Sequence, residues 1–416
     1  MKKRVLSLLL CLVMALSLIP SVAFATMHID TVNIIGMKTP VVGKKAEDCL
    51  DLSPADPDLY TITDAFWYCK TDSCAMPAGG EFETGKEYHL SVEVAPADGY
   101  AVSGLTEFLL NGSTAVVNVP TTWVYEGNLK GFSVDITAVD KPAAPKITGL
   151  SNGNTGITVK WSKVADADGY QVWHKTGSGD WKLAKTITSG ITTSWDDAGR
   201  TSGTEYQYKV RAYKIVDGTR IYGTYSAIST WYFMAQPKIS SIVNSSTGVT
   251  VKWGKITGAT VYKVYRKAGS GDWKLLTTTT ATSYNNTGLT NGTKYQYKIV
   301  AVKMVDSTNY QSIASSIKTM YRLTRPTLAS GTKNIATRKI VATWNKNTKV
   351  TGYQVRYVKG TTTKTVTVKG ASTLSKTLSS LTKGATYKIY VRSYKTVSGA
   401  NYYSAWSGYK SVKVVK

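Results

Sequence analysis

Acid is scarce over most of this chain. Between residues 141 and 416 only 9 Asp and Glu stand against 42 Lys and Arg, a net charge of +33. Histidine occurs three times in 416 residues, as His28, His89 and His174, and none sits beside a nucleophile in a recognisable catalytic setting. A glycosidase needs two carboxylates poised across a cleft, and a structural zinc site needs four ligands at workable spacing. Neither pattern is present, so the sequence assigns no catalytic residue, no metal and no cofactor, and an enzyme is not expected. Cysteine is rare as well. Beyond Cys11 near the start there are Cys49, Cys69 and Cys74, an odd number that allows at most one internal disulfide and leaves one thiol. Cys69 and Cys74 could close a small loop, but sequence alone does not fix the pairing. Asp48, Asp51, Asp56 and Asp58 gather in one segment, yet Pro54 and Pro57 interrupt it and no glycine falls at the turn of a calcium loop, so a solvated loop is expected.

Long apolar runs are also missing, with one exception. Lys2, Lys3 and Arg4 precede the run from Val5 to Ile19, and Ala23-Phe24-Ala25 supplies small residues at both cleavage-determining positions. This is the pattern of a secretory signal peptide over residues 1–25. The run is too short to cross a bilayer comfortably. The expectation is an exported chain beginning near Thr26, without a transmembrane segment, associated non-covalently with the cell surface.

Helical periodicity is absent after that segment, whereas alternation is everywhere. In Gly156–Trp161, Ile157, Val159 and Trp161 share one face while Thr158 and Lys160 share the other, as in a strand with one wet side. The same phase recurs at Val249, Val251 and Trp253, and at Ile340, Ala342 and Trp344. The three tryptophans are 92 and 91 residues apart, and nine residues after each comes a tyrosine: Tyr170, Tyr262 and Tyr353. A further tyrosine, Tyr206, Tyr295 and Tyr387, opens a later strand in each copy. A repeat of this length fits a small domain rather than a solenoid unit. These nine aromatic residues are the expected structural core.

Seven short alternating segments per copy read as a two-sheet antiparallel sandwich, which makes the fold class all-β. Leu289-x5-Tyr295 and Leu381-x5-Tyr387 resemble the tyrosine corner of fibronectin type III domains, and the buried tryptophan of the second strand is similar too. The resemblance implies three tandem fibronectin type III repeats, at 142–235, 236–323 and 324–416. The first departs from the pattern, because Arg200 stands where the corner leucine is expected. Gly-Ser-Gly-Asp-Trp-Lys-Leu at 177–183 and 269–275, with Tyr222-Gly-x-Tyr-Ser226, is similar to repeats on surface proteins of Gram-positive bacteria. Residues 26–140 lack these landmarks. Their alternating segments Tyr88–Val94, Ala115–Val119 and Phe132–Ala138, with Val32–Gly36, Ala97–Tyr100 and Leu110–Gly112, resemble an immunoglobulin-like β-sandwich seen at the head of bacterial surface proteins.

Charge divides at the Lys141–Pro145 linker. Residues 26–140 carry a net charge of −11, opposite to the array that follows. A field this basic attracts polyanions at long range and in a salt-dependent way. Outside a cell these would be anionic cell-wall polymers or acidic polysaccharides. Contact between the acidic head and the basic array is a second reading, and simple solubilisation of the sheets a third. No nucleic-acid motif is present. Strand phase places Trp173, Arg211 and Tyr213 on one outer face of the first repeat, Tyr265 and Lys298 on the second, and Arg356, Tyr390, Arg392 and Tyr394 on the third. Rings stack on sugars and guanidinium groups grip acidic substituents, so these nine residues are candidates for ligand binding. The alternative is cation–π pairing that only holds the sheet together. Trp181 and Trp273 face the same choice, with each expected to cover the apolar edge of its own hairpin. The function expected is a secreted, non-catalytic surface or adhesion protein that binds or spaces along anionic polymers. The competing expectation is a carbohydrate-binding accessory protein of a polysaccharide-degrading system.

Overall fold

The computed structural model describes residues 26–102, 106–114 and 130–415. The signal peptide expected over residues 1–25 and the strand expected over Ala115–Val119 lie outside the described residues. Among those described, strands account for nearly all regular structure, and the only helical element is a single 3-10 turn, Glu47–Cys49. Contacts divide the chain into two compact units. One holds the residues up to Ala143 with Val164–Asp168 and Ala212–Thr224, and the other holds Ala144–Lys163, Gly169–Arg211 and Tyr225–Lys416.

Two four-stranded sheets make the acidic head. The first runs in the order Lys130–Thr137, Glu87–Pro96, Tyr60–Cys69, Cys74–Ala75. The second runs Leu50–Pro54, Thr31–Met37, Glu107–Leu110, Ser113–Thr114. Strand Glu87–Pro96 shows why they close on each other, since Tyr88, Leu90, Val92 and Val94 are buried at every second position. Trp67, Phe82 and Tyr88 fill the centre edge to face, with ring centroids 5.0 Å apart in both pairs. Asn111 and Gly112 turn the last hairpin with φ of 53° and 73°. This left-handed pair matches the twist of the flanking strands and explains the Asn-Gly dipeptide. Within the same unit the Thr39 amide and hydroxyl both donate to the Asp217 carboxylate, at 2.7 and 3.0 Å.

The rest of the chain builds one sandwich design three times. A three-stranded sheet joins Ile147–Asn152, Gly156–Trp161 and Ser194–Ala198, and it recurs as Ile239–Asn244, Gly248–Trp253, Ser283–Thr287 and as Lys333–Ala336, Lys339–Thr343, Ser375–Leu378. The facing five-stranded sheets centre on the twelve-residue strands Glu205–Val216, Lys294–Val305 and Thr386–Val397. All nine expected core residues are buried, the tryptophans at 2–4 % exposure. The tyrosine corner forms in all three copies. The Thr201, Thr290 and Thr382 amides donate to the Tyr206, Tyr295 and Tyr387 hydroxyls at 3.0, 3.1 and 3.0 Å.

The last edge strand of each five-stranded sheet is broken, and buried serines bridge the break. Each long strand pairs near its end with one short strand and near its start with another. Between those pairings the Ser226, Ser315 and Ser407 hydroxyls accept from the Val210, Ile299 and Val391 amides, all at 3.0 Å. The expected result for Ser407→Ala is a loss of about 1–3 kcal/mol, because a buried amide loses its acceptor. Urea unfolding of the full chain, read by amide exchange over residues 386–413, measures it.

Neighbouring sandwiches meet at two joints inside the second unit, and the joints repeat. The Asn152 amide donates to the Gln311 carbonyl at 2.9 Å, and Asn244 donates to the Tyr403 carbonyl at 2.8 Å. The Tyr310 ring packs edge-on against Trp231 and Tyr232, as Tyr402 does against Tyr321. Lys303 lies over Tyr232 and Lys395 over Tyr321, at 4.8 and 5.4 Å. At the first joint Gly203 and Gly258 bring two backbones together, and a Cβ on Gly258, whose φ is +80°, would lie 2.2 Å from the Gly203 Cα. Gly258→Ala is therefore expected to part the joint, breaking the 2.9 Å bond from the Ser202 hydroxyl to the Thr257 carbonyl. Faster exchange confined to residues 201–204 and 256–259 is the signature.

Candidate functional site

The outer face of the five-stranded sheet carries alternating rings and cations. In the first repeat Trp173 and Arg211 lie side by side on adjacent strands as expected, with the guanidinium carbon 5.9 Å from the indole. Tyr225 closes the set from the broken edge strand. Arg211 lies 4.8 Å from its ring, Lys209 lies 4.0 Å from it, and Trp173 meets it edge-on at 6.1 Å. Lys209 also reaches Trp181 at 4.6 Å. The Arg211 Nε and Nη2 both donate to Gln171 Oε1, at 3.0 and 2.8 Å, fixing the fork in plane.

The third repeat carries the longest ladder. Arg392 sits between Tyr403 and Trp406 at 3.9 and 4.5 Å, and Arg356 sits between Trp406 and Tyr390 at 4.4 and 4.3 Å. Tyr390 then meets Tyr409 at 5.7 Å, and Lys388 lies 4.7 Å from Tyr409. Arg392 donates twice to Gln354 Oε1, at 2.9 and 2.7 Å, as its counterpart does in the first repeat. Burial pushes the Arg392 guanidinium below its ordinary pKa, with nearby Tyr403 acting in the opposite sense. In the second repeat Val300 and Ala314 stand at the corresponding places, so only Lys298 between Tyr265 (5.5 Å) and Trp273 (4.6 Å) remains.

Two of the nine candidate residues are not on this surface. Tyr213 is 1 % exposed and Tyr394 is 6 % exposed, although strand phase placed both outside. Gly352 is the strand partner of Tyr394, and its missing side chain lets that ring fold flat across the backbone; a Cβ there would lie 2.9 Å from the ring. Tyr213 is covered within its own hairpin, by Tyr222 at 5.9 Å and Arg220 at 5.0 Å. Trp181 and Trp273 do not simply cover an apolar hairpin edge, because each carries a lysine on its ring. The sequence reading missed Tyr225, Trp406, Tyr403 and Tyr409. For Tyr225, Tyr403 and Trp406 the signal was the shared spacing of Tyr222-Gly-x-Tyr-Ser226 and Tyr403-Ser-x-Trp-Ser407.

A second polar cluster lies inside the first sandwich. The Asp197 carboxylate, 3 % exposed, accepts from the Tyr208 hydroxyl at 2.8 Å, pairs with His174 Nδ1 at 2.8 Å, and lies 3.5 Å from Arg200 Nε. Burial first, and then Asp197, pushes the Tyr208 hydroxyl far above its usual range, so it stays a neutral donor. This explains Arg200 at the corner. It answers the buried acid and lays its guanidinium 5.2 Å from the Tyr206 ring. The second repeat replaces the acid with an uncharged amide, Asn286, which accepts from Arg266 and Tyr297, and there the corner residue is Leu289. The third replaces the set with Leu378, Tyr357, Ile389 and Leu381.

Ion pairing differs sharply along the chain. Seven of the nine ion pairs among the described residues lie in the head, and the other two both use Asp197. Among the described residues, no lysine between 141 and 415 lies within ion-pair distance of a carboxylate. No group of three or more His, Cys, Asp or Glu side chains among them could hold a metal ion. Among the described residues no helix is long and apolar enough to cross a membrane.

The chain is all-β, a series of tandem β-sandwiches. No family model matches it. It is similar to Exoglucanase B of Cellulomonas fimi, at 29% identity over 287 residues, covering 63% of this chain and 25% of that protein. It is also similar to Chitinase A1 of Niallia circulans, at 26% over 230 residues, covering 52% and 31%. Amylopullulanase of Thermoanaerobacterium saccharolyticum shares 25% over 170 residues, covering 38% and 13%. The chain therefore spans less than a third of the length of each of these relatives. Among solved structures, the crystal structure of chicken CNTN1 FN1–FN3 domains aligns with 66% of this chain and 99% of its own, at 20% identity and a TM-score of 0.26.

Proposed function

We propose that this chain is a secreted, non-catalytic protein whose three basic repeats bind or space along anionic polymers at a cell surface, behind an acidic immunoglobulin-like head. The observation that carries this reading is the unpaired lysine population of residues 141–415. Charges left without a carboxylate partner keep their long-range attraction for a polyanion, and salt screens that attraction. Part of that charge sits in the ladders, at Lys209, Lys298 and Lys388. The ladders' guanidinium groups lie against rings and are hydrogen-bonded to Gln171 and Gln354, an arrangement that stiffens the sheet.

A second reading is favoured by the relatives, whose names are those of polysaccharide-degrading enzymes. In that reading the chain is an accessory to such a system and uses its exposed rings to hold a glycan. The ladder geometry counts against it, because Trp173, Tyr225 and Trp406 already have cations against them. Co-sedimentation of the full chain with cell walls separates the two readings. Walls with and without their anionic polymer, and an uncharged glucan or chitin, are compared at about 0.1 M and about 1 M salt. Binding that needs the anionic polymer and is lost at high salt supports the electrostatic reading. Binding to the uncharged glycan that survives salt and fails in Trp173→Ala supports the other and overturns the first.

A further inference from the structure

The edge hairpin of the head's first sheet is built to close a disulfide. Strands Tyr60–Cys69 and Cys74–Ala75 pair antiparallel, and their register sets Cys69 directly opposite Cys74. Directly opposed residues in such a pair have Cα atoms about 4.5–5.5 Å apart, inside the roughly 4.4–6.8 Å that a disulfide spans. The two side chains also leave the sheet on the same face, as cross-strand partners must.

The four residues between the cysteines are already held in place. The Lys70 amide donates to the Glu87 carbonyl at 2.9 Å, and the Glu87 amide donates to the Thr71 hydroxyl at 3.0 Å. Lys70 Nζ reaches Asp135 at 2.9 Å. Lys86 Nζ ties Asp72 at 2.6 Å to Glu83 at 2.9 Å. The hydrogen bond from Lys86, and after it that from the Cys69 thiol, holds the Asp72 carboxyl below the usual carboxylate range. A turn ordered before the reaction keeps the two sulfurs together without further loss of chain entropy.

Access is divided between the cysteines. Cys74 is exposed, whereas Cys69 is buried with its thiol 3.5 Å from an Asp72 oxygen. Cys49, the remaining cysteine of the head, is buried on the 3-10 turn with no cross-strand cysteine opposite it. Burial first, then Asp48, pushes the Cys49 thiol up, which makes it a poor nucleophile.

We infer that Cys69 and Cys74 form a disulfide clasp in an oxidising exterior, leaving Cys49 as a thiol. The oxidant is a low-molecular-weight disulfide. The exposed Cys74 thiolate attacks one of its sulfurs and expels the first thiolate, giving a mixed disulfide. The Cys69 sulfur, losing its proton, then attacks the Cys74 sulfur and expels the second. One external disulfide becomes two thiols as two cysteine thiols become one disulfide, and the two thiol protons pass to the departing thiolates.

The test is a redox equilibration of the full chain in glutathione and glutathione disulfide, followed by acid quench, unfolding, alkylation and trypsin digestion. Cleavage after Lys70 separates the two cysteines, so peptides 46–70 and 71–86 travel together only if Cys74 is bonded to Cys69 or Cys49, and alkylation at Cys49 or at Cys69 tells which. The expected result is that joined pair, short of two hydrogens, with Cys49 alkylated. Cys74→Ser should leave Cys69 unlabelled in the folded chain but alkylated after unfolding. Recovery of Cys69 and Cys74 both alkylated from disulfide-rich buffer overturns the inference. So does an internal Cys49–Cys69 bond, which would appear as peptide 46–70 alone, short of two hydrogens.

Discussion

Trp253→Ala is expected to destabilise the second sandwich by about 3–5 kcal/mol, the usual cost of deleting a large buried ring. Trp253 is 4 % exposed, packs 5.6 Å from Tyr262, and stands among Val249, Val251, Val264 and Ile299 in one core. Its indole nitrogen has no hydrogen-bond partner among the described residues. Trp253→Phe should therefore cost far less, since it removes volume but no hydrogen bond. Denaturant unfolding of the full chain, resolved by amide exchange over residues 236–323, reads both variants. Equal losses for the two would mean that the ring's volume is not what the core requires.

Asp197→Ala is expected to cost the first sandwich a similar amount, about 3–5 kcal/mol, for a different reason. The substitution leaves the Tyr208 hydroxyl, the His174 ring and the Arg200 guanidinium facing a buried site that has lost its acceptor. The third repeat shows the apolar alternative in the same frame. Leu378 is opposite Ile340 as Asp197 is opposite Ile157. Installing that set together, as Asp197→Leu, His174→Tyr, Arg200→Leu and Tyr208→Ile, should be neutral or stabilising by up to about 4 kcal/mol, because no charge is then buried. A quadruple variant as unstable as Asp197→Ala would show that the two cores are not interchangeable. Thermal and urea unfolding of the full chain, with exchange over residues 144–211, decides it.

The core was legible because its cause is local. Alternation put Ile157, Val159 and Trp161 on one face, and the sheet buried that face. The tyrosine corner was legible too, since its spacing fixes which amide the hydroxyl meets. Arg200 was visible as a departure, but its reason was not, because nothing in the linear order places Asp197 and His174 around it. The candidate surface was half legible. Strand phase placed Trp173 beside Arg211 and Arg356 beside Tyr390. It failed at Tyr394, where a glycine on the neighbouring strand lets the ring lie flat, and at Tyr213, which its own hairpin covers. The rings completing each ladder, Tyr225 and Trp406, come from a broken edge strand to which simple alternation does not apply. The joints were invisible, since Asn152 and Gln311 are 159 residues apart and meet only once both sandwiches have formed.

The unpaired lysines of the array are tested most directly by the affinity of the full chain for a soluble anionic wall polymer, measured against salt concentration. The account predicts an affinity that falls steadily as salt rises from about 0.1 M to about 1 M and no measurable binding to an uncharged glycan of equal length. Arg211→Gln and Arg392→Gln, each of which removes one of the 42 cations of residues 141–416, should leave the salt dependence nearly unchanged. An affinity indifferent to salt, or equal for the charged and uncharged polymers, would contradict it.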